Sequence, residues 1–165
     1  MKISCLQIVP KETINDALDE ALDLASIAIR SGAKFLFLPE YCGGIFSNGK
    51  LYIPPSEKEK NHLFLKEFKK FCKFNKVWVS IGSIAIKLDE NKIVNRSFIL
   101  NPFGKIVSKY DKIHMFDISI DGEEHYESST IDFGSKAVLV KTEVGLIGHS
   151  ICYDIRFPNL YRKLA

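Results

Sequence analysis

The spacing of apolar and polar positions changes several times along the chain, and each change marks an element. Apolar residues dominate from Ile3 to Val9, which predicts a first buried strand ended by Pro10, a residue with no N–H for a ladder. From Thr13 the spacing is helical. Ile14, Ala17, Leu18, Ala21, Leu22, Ala25 and Ile29 share one face, while Asn15, Asp16, Asp19, Asp23 and Arg30 lie off it. Thr13 with Asp16 resembles a capping box, and Gly32 supplies a stop. Phe35 to Leu38 is apolar at every position, as in a strand buried on both faces, and Pro39 closes it just before Glu40.

Tyr41 to Pro55 carries Gly43, Gly44, Gly49, Pro54 and Pro55, so it reads as a loop placed to line a pocket beside Glu40. Ser56 with Glu59 forms a second capping pattern ahead of an amphipathic helix, with Phe64, Phe68, Phe71 and Cys72 inward and Lys66, Lys69, Lys70 and Lys73 outward. Val77 to Ile86 and Ile93 to Leu100 read as an antiparallel hairpin across Asp89-Glu90-Asn91-Lys92. Asn101-Pro102-Phe103-Gly104 is a turn into a short strand ending near Lys109, so the sheet is mixed. Lys112 to Gly134 is polar and poorly periodic, a length of irregular chain that a domain keeps mainly for function. Lys136 to Lys141 and Leu146 to Ile151 pair across Thr142-Glu143-Val144-Gly145, delivering Cys152 to the end of a buried strand.

Composition narrows the class. At 165 residues and 46% hydrophobic content, residues 1–165 form a single domain with a real core. The net charge of +3 arises from nearly balanced acids and bases and implies neither a nucleic-acid nor a membrane partner. No apolar run reaches the length of a membrane span, and the chain opens into a strand-like segment with no signal-peptide pattern, so a cytoplasmic protein is expected. Cys5, Cys42, Cys72 and Cys152 are far apart with no CxxC pair, which argues against a zinc site and a disulfide framework. His62, His114, His125 and His149 show no ligand spacing, so no metal is expected.

Chemistry concentrates in three segments: Leu38-Pro39-Glu40; Tyr110-Asp111-Lys112-Ile113-His114-Met115-Phe116; and Cys152-Tyr153-Asp154-Ile155-Arg156-Phe157-Pro158. A carboxylate directly after a buried strand lies at the sheet edge where α/β proteins keep their sites, and a cysteine at a strand end can present its sulfur at a rim. In order, wording and spacing these segments resemble the nitrilase, or carbon-nitrogen hydrolase, superfamily, whose chemistry rests on a Glu-Lys-Cys triad. The wording is most similar to the omega-amidases and related Nit-type amidases.

That resemblance implies an α/β fold, a mixed-sheet α-β-β-α sandwich, of which the chain holds only the N-terminal part. It implies a hydrolase acting on a small-molecule amide through a Cys152 thioester, with no cofactor and no metal, and frequent packing against a second subunit as a homo-oligomer. Glu40 would be the base, Lys112 the positive charge for the oxyanion, and the Tyr153 backbone N–H a second donor. Glu127 stands where many members carry a second glutamate that orients the lysine, with Glu123 and Glu124 close by. His114, Asp154 and Arg156 would hold the lysine and cysteine loops, and Asn95 receives no catalytic task. Ser150 and Asn159 depart from the glycine and glutamate that relatives often have. The competing reading is a catalytically inactive remnant or interaction subunit, its sheet left with an unpaired edge and an uncovered apolar face.

Overall fold

The computed structural model describes residues 1–47, 52–120 and 123–165. β1 (Ile3–Cys5) is shorter than its apolar run, and Ile3 is half exposed at the sheet edge rather than buried. The helix α1 (Ile14–Arg30) follows its predicted face: Ala17, Leu18, Ala21 and Ala25 are buried. Thr13 Oγ1 accepts the Asp16 N–H at 3.2 Å and donates to Asp16 Oδ2 at 2.6 Å, capping the first turn. β2 (Phe35–Phe37) explains the brevity of β1. Ile3 pairs in parallel with Phe35 and Cys5 with Phe37, and past Leu6 no partner strand remains among the described residues.

Within the predicted loop, β3 (Phe46–Ser47) and β4 (Tyr52–Ile53) form a small antiparallel pair, while Gly49 lies outside the described residues. α2 (Leu63–Asn75) begins later than the capping pattern predicts, and neither Ser56 nor Glu59 caps it. Its first N–H finds Glu57 instead, whose Oε2 accepts from Leu63 N at 3.0 Å. Glu59 is drawn away by two cations, Arg96 at 3.0 Å and Lys109 at 2.6 Å. The predicted faces hold, with Phe64, Phe68 and Cys72 buried.

β5 (Trp78–Lys87), β6 (Ile93–Leu100) and β7 (Ile106–Asp111) then run as an antiparallel meander. The main sheet has the order β1-β2-β5-β6-β7 and is mixed, since β1, β2 and β5 are parallel. The stretch read as irregular contains β8 (Asp117–Ile120) and β9 (Glu123–Tyr126), an antiparallel hairpin too polar to leave an apolar signature, then a 3-10 turn at Glu127–Ser129. β10 (Leu139–Thr142) and β11 (Gly145–Gly148) form the predicted pair but are shorter than Lys136–Lys141 and Leu146–Ile151, and they reach into the expected turn, with Thr142 opposite Gly145.

This last hairpin corrects one expectation. Among the described residues β10 and β11 pair only with each other, and Leu146 is 72% exposed, so Cys152 does not end a buried strand of the main sheet. It opens a 3-10 turn, Cys152–Arg156, that leads into α3 (Pro158–Leu164).

The two faces of the main sheet differ. Leu36, Val79, Ile81, Ile84, Phe98 and Leu100 point toward α1 and α2 and form one apolar core with them. On the other face Phe35, Trp78 and Ile99 make a smaller cluster, backed by Val140 and Ile147 of the last hairpin. Alternation in β6 puts Asn95 and Ser97 on that same side as Ile99, so the second face turns from apolar to polar along its length. Among the described residues no helix is long and apolar enough to cross a membrane.

Candidate active site

The polar end of that second face is where the predicted groups converge. β2 ends two residues before Pro39, with Leu38 N–H still bonded to Ser80 O at 2.9 Å, so Glu40 leaves the sheet at the C-terminal edge of the strand. Lys112 continues β7 by one residue, its N–H donating to Asn95 O at 2.9 Å. Its side chain, only 2% exposed, runs inward and donates to Glu40 Oε1 at 2.9 Å and Glu127 Oε2 at 2.8 Å. Burial opposes the ammonium charge, but the two carboxylates outweigh it and hold the lysine above its ordinary range. Lys112 is therefore a fixed cation between Glu40 and Glu127.

Glu127, rather than the exposed Glu124, is the second glutamate at the lysine. Its carboxylate also accepts the Tyr41 hydroxyl at 2.9 Å and the Phe116 N–H at 2.8 Å. Glu40 accepts Asn95 Nδ2 at 2.8 Å on the oxygen that faces Lys112. Asn95 and Tyr41 were not legible as site residues. The one available signal was Asn95 itself, a polar side chain at an otherwise core position of a strand, and it is fully buried.

Cys152 stands across from this group. Its backbone takes φ 45°, and Tyr41 takes φ 49°, left-handed values that cost about 1–3 kcal/mol for ordinary residues and gather at functional sites. The third such residue among those described, Lys76, simply ends α2. The Cys152 thiol is pushed up by burial first and then by the Glu40 carboxylate, while Lys112 pulls it down by less. Both effects favour the protonated thiol, so attack by sulfur calls for a base, and the carboxylate that raises it is Glu40.

Asp154 ties the cysteine turn to the lysine segment. It is fully buried and accepts Tyr110 Oη at 2.6 Å, Ile151 N at 2.9 Å, His114 N at 3.1 Å and His114 Nδ1 at 2.7 Å. The His114 ring stacks on Phe157, centroids 3.6 Å apart. His114 and Asp154 thus hold the two loops as expected. Arg156 does not join them: it is exposed, and its side chain makes no hydrogen bond or ion pair among the described residues. Beneath this joint the His149 ring spans Ser97 Oγ at 3.1 Å and Ser108 Oγ at 2.8 Å, and burial lowers its pKa to about 4.

A cavity of about 210 Å³ opens between these elements. Glu40, Lys112, Glu127 and Cys152 all border it, and Ile45, Phe116 and Ile131 supply apolar wall. The N–H of Tyr153 follows Cys152 in the first turn, where a helix has no internal acceptor for it. Among the described residues no group of three or more His, Cys, Asp or Glu is arranged to hold a metal ion. The arrangement offers a thiol, a carboxylate beside it and a buried cation at one small pocket.

Comparison with known proteins places the chain. The family model for carbon-nitrogen hydrolase matches residues 2–165, and the chain belongs to that family. It is 35% identical over 152 residues to the nitrilase and fragile histidine triad fusion protein NitFhit of Drosophila melanogaster, covering 90% of this chain and 33% of that protein. It is 30% identical over 166 residues to the deaminated glutathione amidase of Yersinia enterocolitica, covering 98% of this chain and 57% of that protein. Among solved structures, Saccharomyces cerevisiae Nit3, a member of branch 10 of the nitrilase superfamily, superposes with TM-score 0.77 at 25% identity, over 99% of this chain and 60% of that one. The chain thus spans a third to about three fifths of the length of these relatives.

Proposed function

We propose that this chain carries the catalytic residues of an amidase-type carbon-nitrogen hydrolase that releases ammonia from a small carboxylic-acid amide. The carrying observation is Lys112, buried between Glu40 and Glu127 on the wall of the pocket that Cys152 borders. Glu40 takes the thiol proton as sulfur attacks the amide carbon, a role suited to a thiol held above its ordinary range. The ammonium of Lys112 and the N–H of Tyr153 stabilise the oxyanion that forms. Protonated Glu40 then gives its proton to the departing nitrogen, ammonia leaves, and an acyl thioester remains on Cys152. Glu40 next takes a proton from water, hydroxide adds to the thioester, and the carboxylic acid departs as the thiol is restored. Glu127 keeps Lys112 oriented through both halves.

The relatives named deaminated glutathione amidase favour an amide whose far end carries carboxylate, and an omega-amide of a dicarboxylic acid is the first class to test. Four unpaired cysteines suit a reducing compartment, which supports a cytoplasmic location. A second copy of the chain is the expected partner. The test is ammonia release from monoamides of succinic and glutaric acid and from simple aliphatic amides, with Cys152→Ala as the blank. Release that depends on Cys152 and Glu40 supports the reading. Absence of release from the whole panel favours the silent remnant or interaction subunit.

A further inference from the structure

Strand β5 is broken at the site. Its register against β6 slips between Ile81 and Ile84, and Gly82 and Ser83 form the irregular step. A Cβ at Gly82 would stand 2.1 Å from Leu38 O and 2.4 Å from Pro39 O, so a side chain there would drive β5 away from the end of β2. Ser83 is fully buried and bonds the segment carrying Glu40 on both sides. Its N–H donates to Pro39 O at 3.2 Å, its carbonyl accepts Cys42 N–H at 3.0 Å, and its Oγ accepts Tyr41 N–H at 2.9 Å.

Glu40 is the residue between these anchors. Tyr41, the next, is held at φ 49° and sends its hydroxyl to Glu127 Oε1. Bulges recur beside active sites because an extra residue re-aims what the neighbouring strand carries. Here the step also returns Ile84 and Ile86 to the helix side of the sheet, so it serves packing and the site together.

We propose that Ser83, seated by Gly82, is a positioning residue for Glu40. Its hydroxyl fixes the Tyr41 amide, which sets the direction of the Glu40 carboxyl group toward Lys112 and Cys152 and, through the Tyr41 ring, steadies Glu127. This rests on Glu40 acting as the base, and the test below separates the two claims.

The probe is iodoacetamide, applied to the full chain across pH 5 to 9, with alkylation of Cys152 and Cys5 followed by peptide mass. Cys5 is exposed and distant in sequence from the bulge, and it reports any general change in reactivity. Glu40→Gln relieves the upward push of the carboxylate on the Cys152 thiol but also removes the acceptor for its proton, and loss of the acceptor is expected to dominate, slowing Cys152 at neutral pH by about tenfold or more. Ser83→Ala is expected to slow it by about three- to tenfold and to flatten its pH profile toward that of Glu40→Gln, because misplacement by a fraction of an ångström weakens proton transfer. Cys5 stays unchanged, and Ser83→Thr, which keeps the acceptor oxygen, retains the wild-type profile. A wild-type Cys152 profile in Ser83→Ala, with Glu40→Gln slowed, overturns the positioning role alone. Equal losses in Ser83→Ala and Ser83→Thr assign Ser83 to packing and overturn it as well. An unaltered or faster rate in Glu40→Gln overturns the base and the positioning role together.

Discussion

The two faces of the central sheet are held by different physics. On the helix side, Leu36, Val79, Ile81 and Phe98 meet α1 and α2 in a continuous apolar core, where each buried side chain stabilises through area removed from water. On the other side the polar end is tied by few, directional bonds: Lys112 to two glutamates, Asp154 to Tyr110 and His114, His149 to two serines. The first face tolerates exchange of one apolar group for another of similar volume. The second does not, because removing one partner leaves another buried and unpaired. Stability therefore resides mainly in one layer and chemistry in the other.

The sharpest contrast comes from one variant on each face. Cys152→Ala is expected to lower amide hydrolysis by about 10⁴-fold or more while leaving the melting temperature within about 2 °C of wild type, since the residue belongs to neither apolar cluster of the sheet. Phe98→Ala is expected to cost about 3–5 kcal/mol, lowering the melting temperature by about 10 °C or more. Calorimetry beside an ammonia assay reads both, and a large stability loss in Cys152→Ala would erase the distinction between the layers.

Asp154→Asn probes the point where the division blurs. This carboxylate accepts from four donors without solvent access, so its loss is expected to cost about 2–4 kcal/mol and also to loosen the cysteine turn. Chemical denaturation should show a core-sized loss from a polar substitution. A neutral result would mean that the turn is held by Phe157 stacking and chain connectivity alone.

Acid should strain both faces through one buried histidine each. Burial lowers His62 on the helix side and His149 on the polar side to about 4 from 6.5. The unfolded chain then takes up protons first, so the stability present above about pH 6.5 is lost as pH falls toward 4, by up to roughly 3 kcal/mol per histidine. Urea unfolding at pH 7 and pH 5 measures the loss, and His149→Gln should remove about half of it. A pH-independent midpoint would show that neither ring stays neutral and buried.

The smallest expected effect is a ranking of thiols under native conditions. Cys42 and Cys72 lie in the apolar core with their thiols pushed up to about 12 by burial, whereas Cys5 and Cys152 are exposed. Peptide mapping after brief alkylation at pH 8 should find the exposed pair modified and the buried pair intact. Early labelling of Cys72 would indicate that the helix layer opens readily.

The same division explains what the sequence made legible. α1 carried a helical period and a local cap, and the β5–β6 hairpin carried strand patterning on both sides of a polar turn, so short-range rules sufficed. The cap at Ser56 and Glu59 failed because Glu59 is claimed by Arg96 and Lys109 from strands far along the chain. The β8–β9 hairpin was hidden by its polarity, and the buried-strand setting of Cys152 was inferred from an apolar run that forms a separate two-stranded pair, with Leu146 exposed and Ile147 resting on the main sheet. Glu40, Lys112, Glu127 and Cys152 were legible through family motifs, which record outcomes of tertiary packing. Tyr41, Asn95 and Ser83 were not, since their meaning lies in contacts across 86, 55 and 42 residues that no local pattern encodes.

One measurement bears most directly on the claim that the polar layer is a working site. The intact chain is mixed with a monoamide of glutaric acid, quenched in acid within seconds, and its mass is read before and after digestion. The expected result is a population heavier by the acyl group, the amide less ammonia, mapped to the peptide containing Cys152 and absent from Cys152→Ala and Glu40→Gln. Ammonia release that persists in Cys152→Ala, or an acyl group carried on another residue, would contradict it.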